Sequence, residues 1–203
     1  MSIHPTSPTR RRALTLAAAA GAAILLLTGC TATDPEAAPS SSQTSAVAEP
    51  NAADEMFVAM MIPHHQQAVE MSELVLANDD VDPAVADLAQ RIKDAQGPEI
   101  ELMESWLVAW DSAMAGHDMS DMGHADMDGM LSDEELAALE EADGPTASRL
   151  FLEGMIEHHE GAVDMAEDEL DDGQHPDVLA LAQQIIDAQQ AEIAEMTQLL
   201  GES

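Results

Sequence analysis

The 203-residue chain has no tyrosine, only four aromatic residues, a single cysteine and six lysine or arginine side chains against 40 aspartates and glutamates. Each scarcity excludes something. At a formal net charge of −34 the chain cannot grip a phosphate backbone, because nucleic-acid affinity comes mainly from cationic side chains displacing counterions. Phe57, Phe151, Trp106 and Trp110 are too few for base-stacking platforms, and anionic membrane surfaces repel so acidic a protein. What is present still folds: 46% of the residues are hydrophobic, whereas disordered chains combine high charge with too little apolar material to bury.

The first thirty residues read as an address. Arg10, Arg11 and Arg12 precede an uncharged apolar run, Ala13 to Leu27, which is too short to span a bilayer comfortably and has the layout of a signal peptide over residues 1–29. Leu27, Thr28, Gly29 and Cys30 resemble a bacterial lipobox, in which the cysteine is lipidated and becomes the new N-terminus. The three arginines fit general secretion or twin-arginine export. Cleavage before Cys30 leaves three basic side chains (Arg91, Lys93 and Arg149) against 40 acidic ones, a net of −37. With Cys30 lipidated no thiol remains for a disulfide, a nucleophile or a thiolate ligand. The expected location is the cell membrane, facing outward, with the lipid as the only membrane contact. Residues 30–51, rich in Thr, Ser, Ala, Pro and Glu without periodicity, suit a flexible tether, and residues 52–201 suit a folded domain with a real core.

That domain is a duplication. Phe57 to Met71 matches Phe151 to Met165 at an offset of 94, and Gln90, Ile92, Ala95, Gln96, Glu99, Ile100 and Met103 recur at an offset of 93 as Gln183, Ile185, Ala188, Gln189, Glu192, Ile193 and Met196. Spacings of three and four between the apolar residues predict helices near 53–78, 83–110, 146–171 and 176–200. Prolines 83, 145 and 176 sit near helix starts, Gly173 and Gly201 near ends, and Ser132 to Glu135 reads as a capping box opening a short helix in the connection. The expected fold is all-α, an antiparallel four-helix bundle made from a duplicated helix pair with a long central crossover. Pro63 and the Gly97-Pro98 pair lie inside helices, where each should kink or restart the helix.

Met61, His64, His65, Ala68 and Met71 form one helical stripe, repeated as Met155, His158, His159, Ala162 and Met165. Thioethers in such a stripe fill core gaps well. Four histidines in two identical contexts are harder to explain by packing, since each buried imidazole brings nitrogens that need partners. Met61 with His65, and Met155 with His159, are four apart and neighbours on the helix surface. His64 and Met71 lie about 10.5 Å apart along the axis, too far to share an ion unaided. Adjacent His64 and His65 point about 100° apart and should serve different neighbours, so a site would be assembled between helices with Met103 and Met196 as further ligands.

The connection over residues 112–131 carries a second signal. Met114, His117, Met119, Met122, His124, Met127 and Met130 are interleaved with four aspartates and three glycines, without helical period, which predicts a mobile segment with no core for its methionines to fill. Thioether and imidazole together suit monovalent copper, and silver by the same softness; imidazole and carboxylate suit divalent copper.

The duplicated His-His-x-x-Ala-x-x-Met motif, the paired Gln-x-x-Glu-Ile-x-x-Met motifs and the segment Gly129 to Glu135 resemble the bacterial family called domain of unknown function 305, over about residues 54 to 200. That resemblance implies a ferritin-like bundle and an exported protein associated with copper handling, with Met61, His64, His65, Met71, Met155, His158, His159 and Met165 as ligands. Gly154 and Glu157 replace Met60 and Pro63 in the second copy, so the halves differ. The sequence therefore points to an exported, lipid-anchored protein that sequesters copper or hands it to a transporter or oxidase. Two alternatives are a metal-free interaction module whose histidines bond Gln96, Gln189 or backbone groups, and a di-iron oxidase. The latter needs Glu-x-x-His motifs on bundle helices, and the chain has none; Asp121-x-x-His124 is the nearest approach. Nor does any serine stand in a context that marks an activated nucleophile, so no enzymatic activity is expected.

Overall fold

Helix signals in the sequence become five helices in the computed structural model, which describes residues 48–116 and 129–202. They are α1 (Ala52–Leu76), α2 (Pro83–Ala109), the short α3 (Asp133–Glu141), α4 (Gly144–Asp172) and α5 (Pro176–Glu202). The signal segment, Cys30, most of the tether, and His117, Met119, Met122, His124 and Met127 of the connection lie outside the described residues. Among the described residues no helix is long and apolar enough to cross a membrane.

The starts of the helices follow local chemistry. Asn51 and Asp54 cap α1 reciprocally, the Asn51 side chain accepting from the backbone N–H of Ala53 and Asp54 while Asp54 accepts from the backbone N–H of Asn51. Ser132 and Glu135 do the same for α3, as the sequence predicts. Asp82 caps α2 ahead of Pro83, and Asp143 caps α4 ahead of Gly144 and Pro145. One expectation needs correction: Pro63 and Pro98 sit inside α1 and α2 without restarting either helix. Gly201 falls in the last turn of α5, at the helix end as expected.

Helix α1 packs along α2, α4 along α5, and α1 meets α4 in the middle of an all-α antiparallel four-helix bundle. The core divides into two apolar clusters. One holds Phe57, Val58 and Met61 with Met103, Leu107, Ala162, Ala166, Val178 and Ile185; the other holds Ala68, Met71 and Val75 with Leu88, Ile92, Phe151, Met155 and Met196. Residues 64–65, 96–99, 158–159 and 189–192 fall between the two on their four helices, so a polar layer crosses the bundle at mid-height.

Asp54 fastens one end. Its Oδ1 accepts the backbone N–H groups of Gln174 and His175 at 3.0 and 2.8 Å, tying the α4–α5 turn to the start of α1. Burial alone would raise the Asp54 pKa, but the N–H groups of Asn51, His175 and Gln174 together with Glu169 hold it below the ordinary value. The Glu169 carboxyl bears the opposite shift, pushed up to about 8 by burial and by the Asp54 charge with which it shares a hydrogen bond.

Two predictions follow from this packing. A Cβ at Gly144 would run into the backbone carbonyl of Asp80, so Gly144→Ala should lower stability in urea unfolding by about 1–3 kcal/mol. Glu169 is protonated in the native protein below about pH 8, whereas the unfolded carboxyl ionises near pH 4.5. Its contribution is thus complete below that value and lost as pH rises through 8. Glu169→Gln should remove this loss, so the melting temperature of the variant should gain on wild type between pH 5 and 9.

Candidate metal centre

Helical periodicity turns His64, His65, His158 and His159 inward, and none exposes any surface. As their 100° separation requires, adjacent rings serve different neighbours. His64 and His158 face each other across the α1–α4 contact with ring centroids 3.8 Å apart, tilted by 40°. His65 and His159 turn outward to the flanking helices, where each Nε2 meets a carboxylate oxygen at 2.8 Å, of Glu99 on α2 and of Glu192 on α5. The two contacts are related by the duplication.

These pairs fix proton positions. A carboxylate can only accept, so Nε2 of His65 and of His159 carries the hydrogen, and in the neutral ring Nδ1 keeps a lone pair. Neither Nδ1 has a hydrogen-bond partner among the described residues, nor does either polar atom of the Gln96 amide or the Gln189 carbonyl oxygen. The carboxylates themselves reach solvent, at 27% side-chain exposure for Glu99 and 18% for Glu192, while the imidazoles do not. Each half thus presents a buried imidazole that is oriented from behind by a carboxylate, the arrangement that supports metal-ligating histidine.

Burial disfavours charge on the two α4 histidines. It pushes the His158 pKa well below the ordinary value, and His64, His159 and His65 push it further, against a contact with the His64 backbone. Burial also lowers the His159 pKa, opposed by Glu192. Two imidazolium rings at 3.8 Å would repel strongly in so dry a place. Neutral imidazole is the form that binds metal.

The methionines sort into three groups. Met61, Met71, Met103, Met155 and Met196 are fully buried in the two apolar clusters, with Met61 and Met103 on one side of the histidine layer and Met71, Met155 and Met196 on the other. Met165 is half-buried at the edge of the first cluster. Met114 packs against that cluster, and Met130 lies half-buried beside α4. Among the described residues no three His, Cys, Asp or Glu side chains converge as a ready-made metal cage, so an ion held in the layer would have to draw on thioether sulfur as well as imidazole. The partners of His65 and His159 are Glu99 and Glu192, not the Gln96 and Gln189 expected for a metal-free interaction module. Repetition of both glutamates in the second motif of each half is the signal that points to them.

The match to known proteins is consistent. A family model described as a domain of unknown function, DUF305, matches residues 54–200. A DUF305 fragment from Deinococcus radiodurans is 33% identical with a TM-score of 0.69, over 77% of this chain and 100% of that one. A DUF305 protein from Streptomyces coelicolor, described as secreted, is 37% identical with a TM-score of 0.67, over 74% and 93%. CopM in its Cu(I)-bound form is 31% identical with a TM-score of 0.60, over 73% and 96%; CopM has also been solved with Cu(II) and with Ag. No curated protein matches the chain. A match over residues 54–200, which takes in the duplicated histidines and nearly the whole helical bundle, makes this chain a member of the DUF305 family.

Proposed function

We propose that this is an exported, lipid-anchored protein that binds copper, with silver accepted by the same softness, and that sequesters it or passes it on outside the membrane. The observation that carries this reading is the pair of buried, carboxylate-backed imidazoles whose Nδ1 atoms have no hydrogen-bond partner among the described residues. Leaving a polar atom buried and unsatisfied costs about 1–3 kcal/mol, a cost that a bound cation would cancel. Imidazole with thioether favours monovalent copper. His65 and His159 are the firmest donors, His64 and His158 stand between them, and Met61 and Met155 sit four residues before His65 and His159. In this reading His117, Met119, Met122, His124 and Met127 collect the ion, Cys30 carries the lipid, and a copper transporter or oxidase receives the cargo. The protein is a carrier or store with no catalytic constellation.

A second reading draws on the lack of three convergent His or carboxylate donors among the described residues. In it the polar layer only fixes the register of the two helix pairs, as single buried polar groups do in coiled coils.

Anaerobic titration with Cu(I) against a competing chelator separates the two. Glu99→Gln with Glu192→Gln should weaken binding by about 10- to 100-fold, the usual effect of removing the support behind a ligating histidine, and His65→Ala with His159→Ala should weaken it further. If neither pair of changes alters affinity while the fold persists, the layer is structural. Acid should act on both metal and fold. The native His158 imidazole resists the proton that the unfolded one accepts below about pH 6.5, so stability is complete above that pH and is lost as pH falls. The metal-free melting temperature should therefore drop between pH 7 and 5, and bound Cu(I) should be released only at lower pH, where the native ring itself takes up a proton.

A further inference from the structure

Between α1 and α4 the surface opens into a pocket of about 300 Å³, walled by Met56, Phe57, Met60 and Met165, with Asp168 and Asp172 at its rim. Thioethers that merely fill space belong in a core. Met56 is 49% exposed, and Met60 and Met165 are half-buried, so these three are placed where a solute can reach sulfur. On α1 they continue a stripe: Met56, Met60 and His64 are four residues apart, each pair about 5–6 Å between Cβ atoms. Exposure falls along it from half-exposed at Met56 to zero at His64. On α4, Met165 lies about two turns from His158 with Ala162 between them. The wall of the pocket at Met60 therefore lies one helical turn from His64 in the histidine layer.

The two halves line this groove differently. Under the offset of 94, the counterparts of Met56, Met60 and Met165 are Leu150, Gly154 and Met71. A pocket of about 290 Å³ opens over Leu150 and Gly154 as well, but the connection forms its wall. Leu131 fills the hollow over Gly154, so that even a Cβ there would meet the Leu131 methyls at 3.1 and 3.2 Å and the Met71 Cε at 3.4 Å. Leu131 is locked in place by Gln67, which donates to its carbonyl and accepts from its N–H, both at 2.8 Å. Of two equivalent grooves, one is overlain by the connection and the other is lined by three methionines from α1 and α4.

We propose that this open α1–α4 groove is the entry site for a soft monovalent cation, with Met56, Met60 and Met165 as thioether ligands that pass the ion inward to His64 and His158. The carboxylates at its rim concentrate cations at the mouth, and three thioethers without imidazole select a monovalent over a divalent metal ion. Transfer needs no redox step, since sulfur is exchanged for sulfur and then for nitrogen about the same ion. The proposal rests on the copper-binding reading and assigns the route, which that reading leaves open.

The test is anaerobic stopped-flow transfer of Cu(I) from a chromogenic chelator to the full mature chain, compared with the triple variant Met56→Leu, Met60→Leu, Met165→Leu. Leucine conserves volume and tolerates these positions, and a second variant with Met114→Leu and Met130→Leu controls for loss of thioethers elsewhere. Transfer to the triple variant should be about tenfold slower or more, the change that about 1.4 kcal/mol of lost ligand stabilisation in the transfer step produces, with the final affinity of the histidine layer unchanged and the control loading as wild type. Raising ionic strength should slow wild type. Equal rates for the triple variant and wild type would overturn the entry site while leaving the histidine layer as the store. Failure of wild type to take up Cu(I) at all would overturn the copper-binding reading and this route together.

Discussion

A layer of buried imidazole across the middle of a helical bundle is the constraint on which the rest of this structure depends. Four histidines with no exposed surface must be oriented and kept apart from the apolar side chains above and below. The protein meets these demands by pairing. His64 is set against His158, and the outer two are held by Glu99 and Glu192 at the same 2.8 Å. The carboxylates stand where partial exposure keeps their charge solvated, while the rings behind them remain dry. Two apolar clusters, one on each side, supply the hydrophobic stabilisation that lets such a layer exist.

Duplication supplies the symmetry, and the departures from it supply direction. Both halves contribute an identical imidazole–carboxylate pair, yet the grooves at their edges differ because a glycine replaces a methionine at position 154 and Leu131 lies over it. The connection between the helix pairs is pinned to α1 by Gln67 and reinforced by the short α3. At the far end Asp54 binds the α4–α5 turn, with Glu169 protonated beside it near neutral pH. A surface so rich in carboxylate draws cations from every side, but the open face offers them sulfur.

Much of this was legible from the sequence. Periodicity, caps and the repeat place the four long helices to within two residues, and the inward stripe identifies all four histidines. Local rules failed where tertiary context outweighs them. Pro63 and Pro98 stay within continuous helices because packing tolerates one lost hydrogen bond in each. Pairing of His65 with Glu99 spans 34 residues, and the Gln67 clamp on Leu131 spans 64; neither separation leaves a local pattern. Met56 and Met60 were passed over because a stripe of methionine reads as core until the structure shows which members face solvent. Signal peptide, lipobox and loop ligands fall outside the described residues and rest on the sequence.

The central claim is that His65 and His159 hold a lone pair on Nδ1 for an incoming soft cation. Long-range nitrogen–proton NMR of the histidine rings, recorded before and after one equivalent of Ag(I), tests it most directly. The account predicts that both rings are Nε2–H tautomers in the metal-free protein, and that their Nδ1 resonances shift on silver binding while Nε2 stays protonated. Protonated Nδ1 atoms, or Nδ1 resonances that do not move when silver binds, would contradict it.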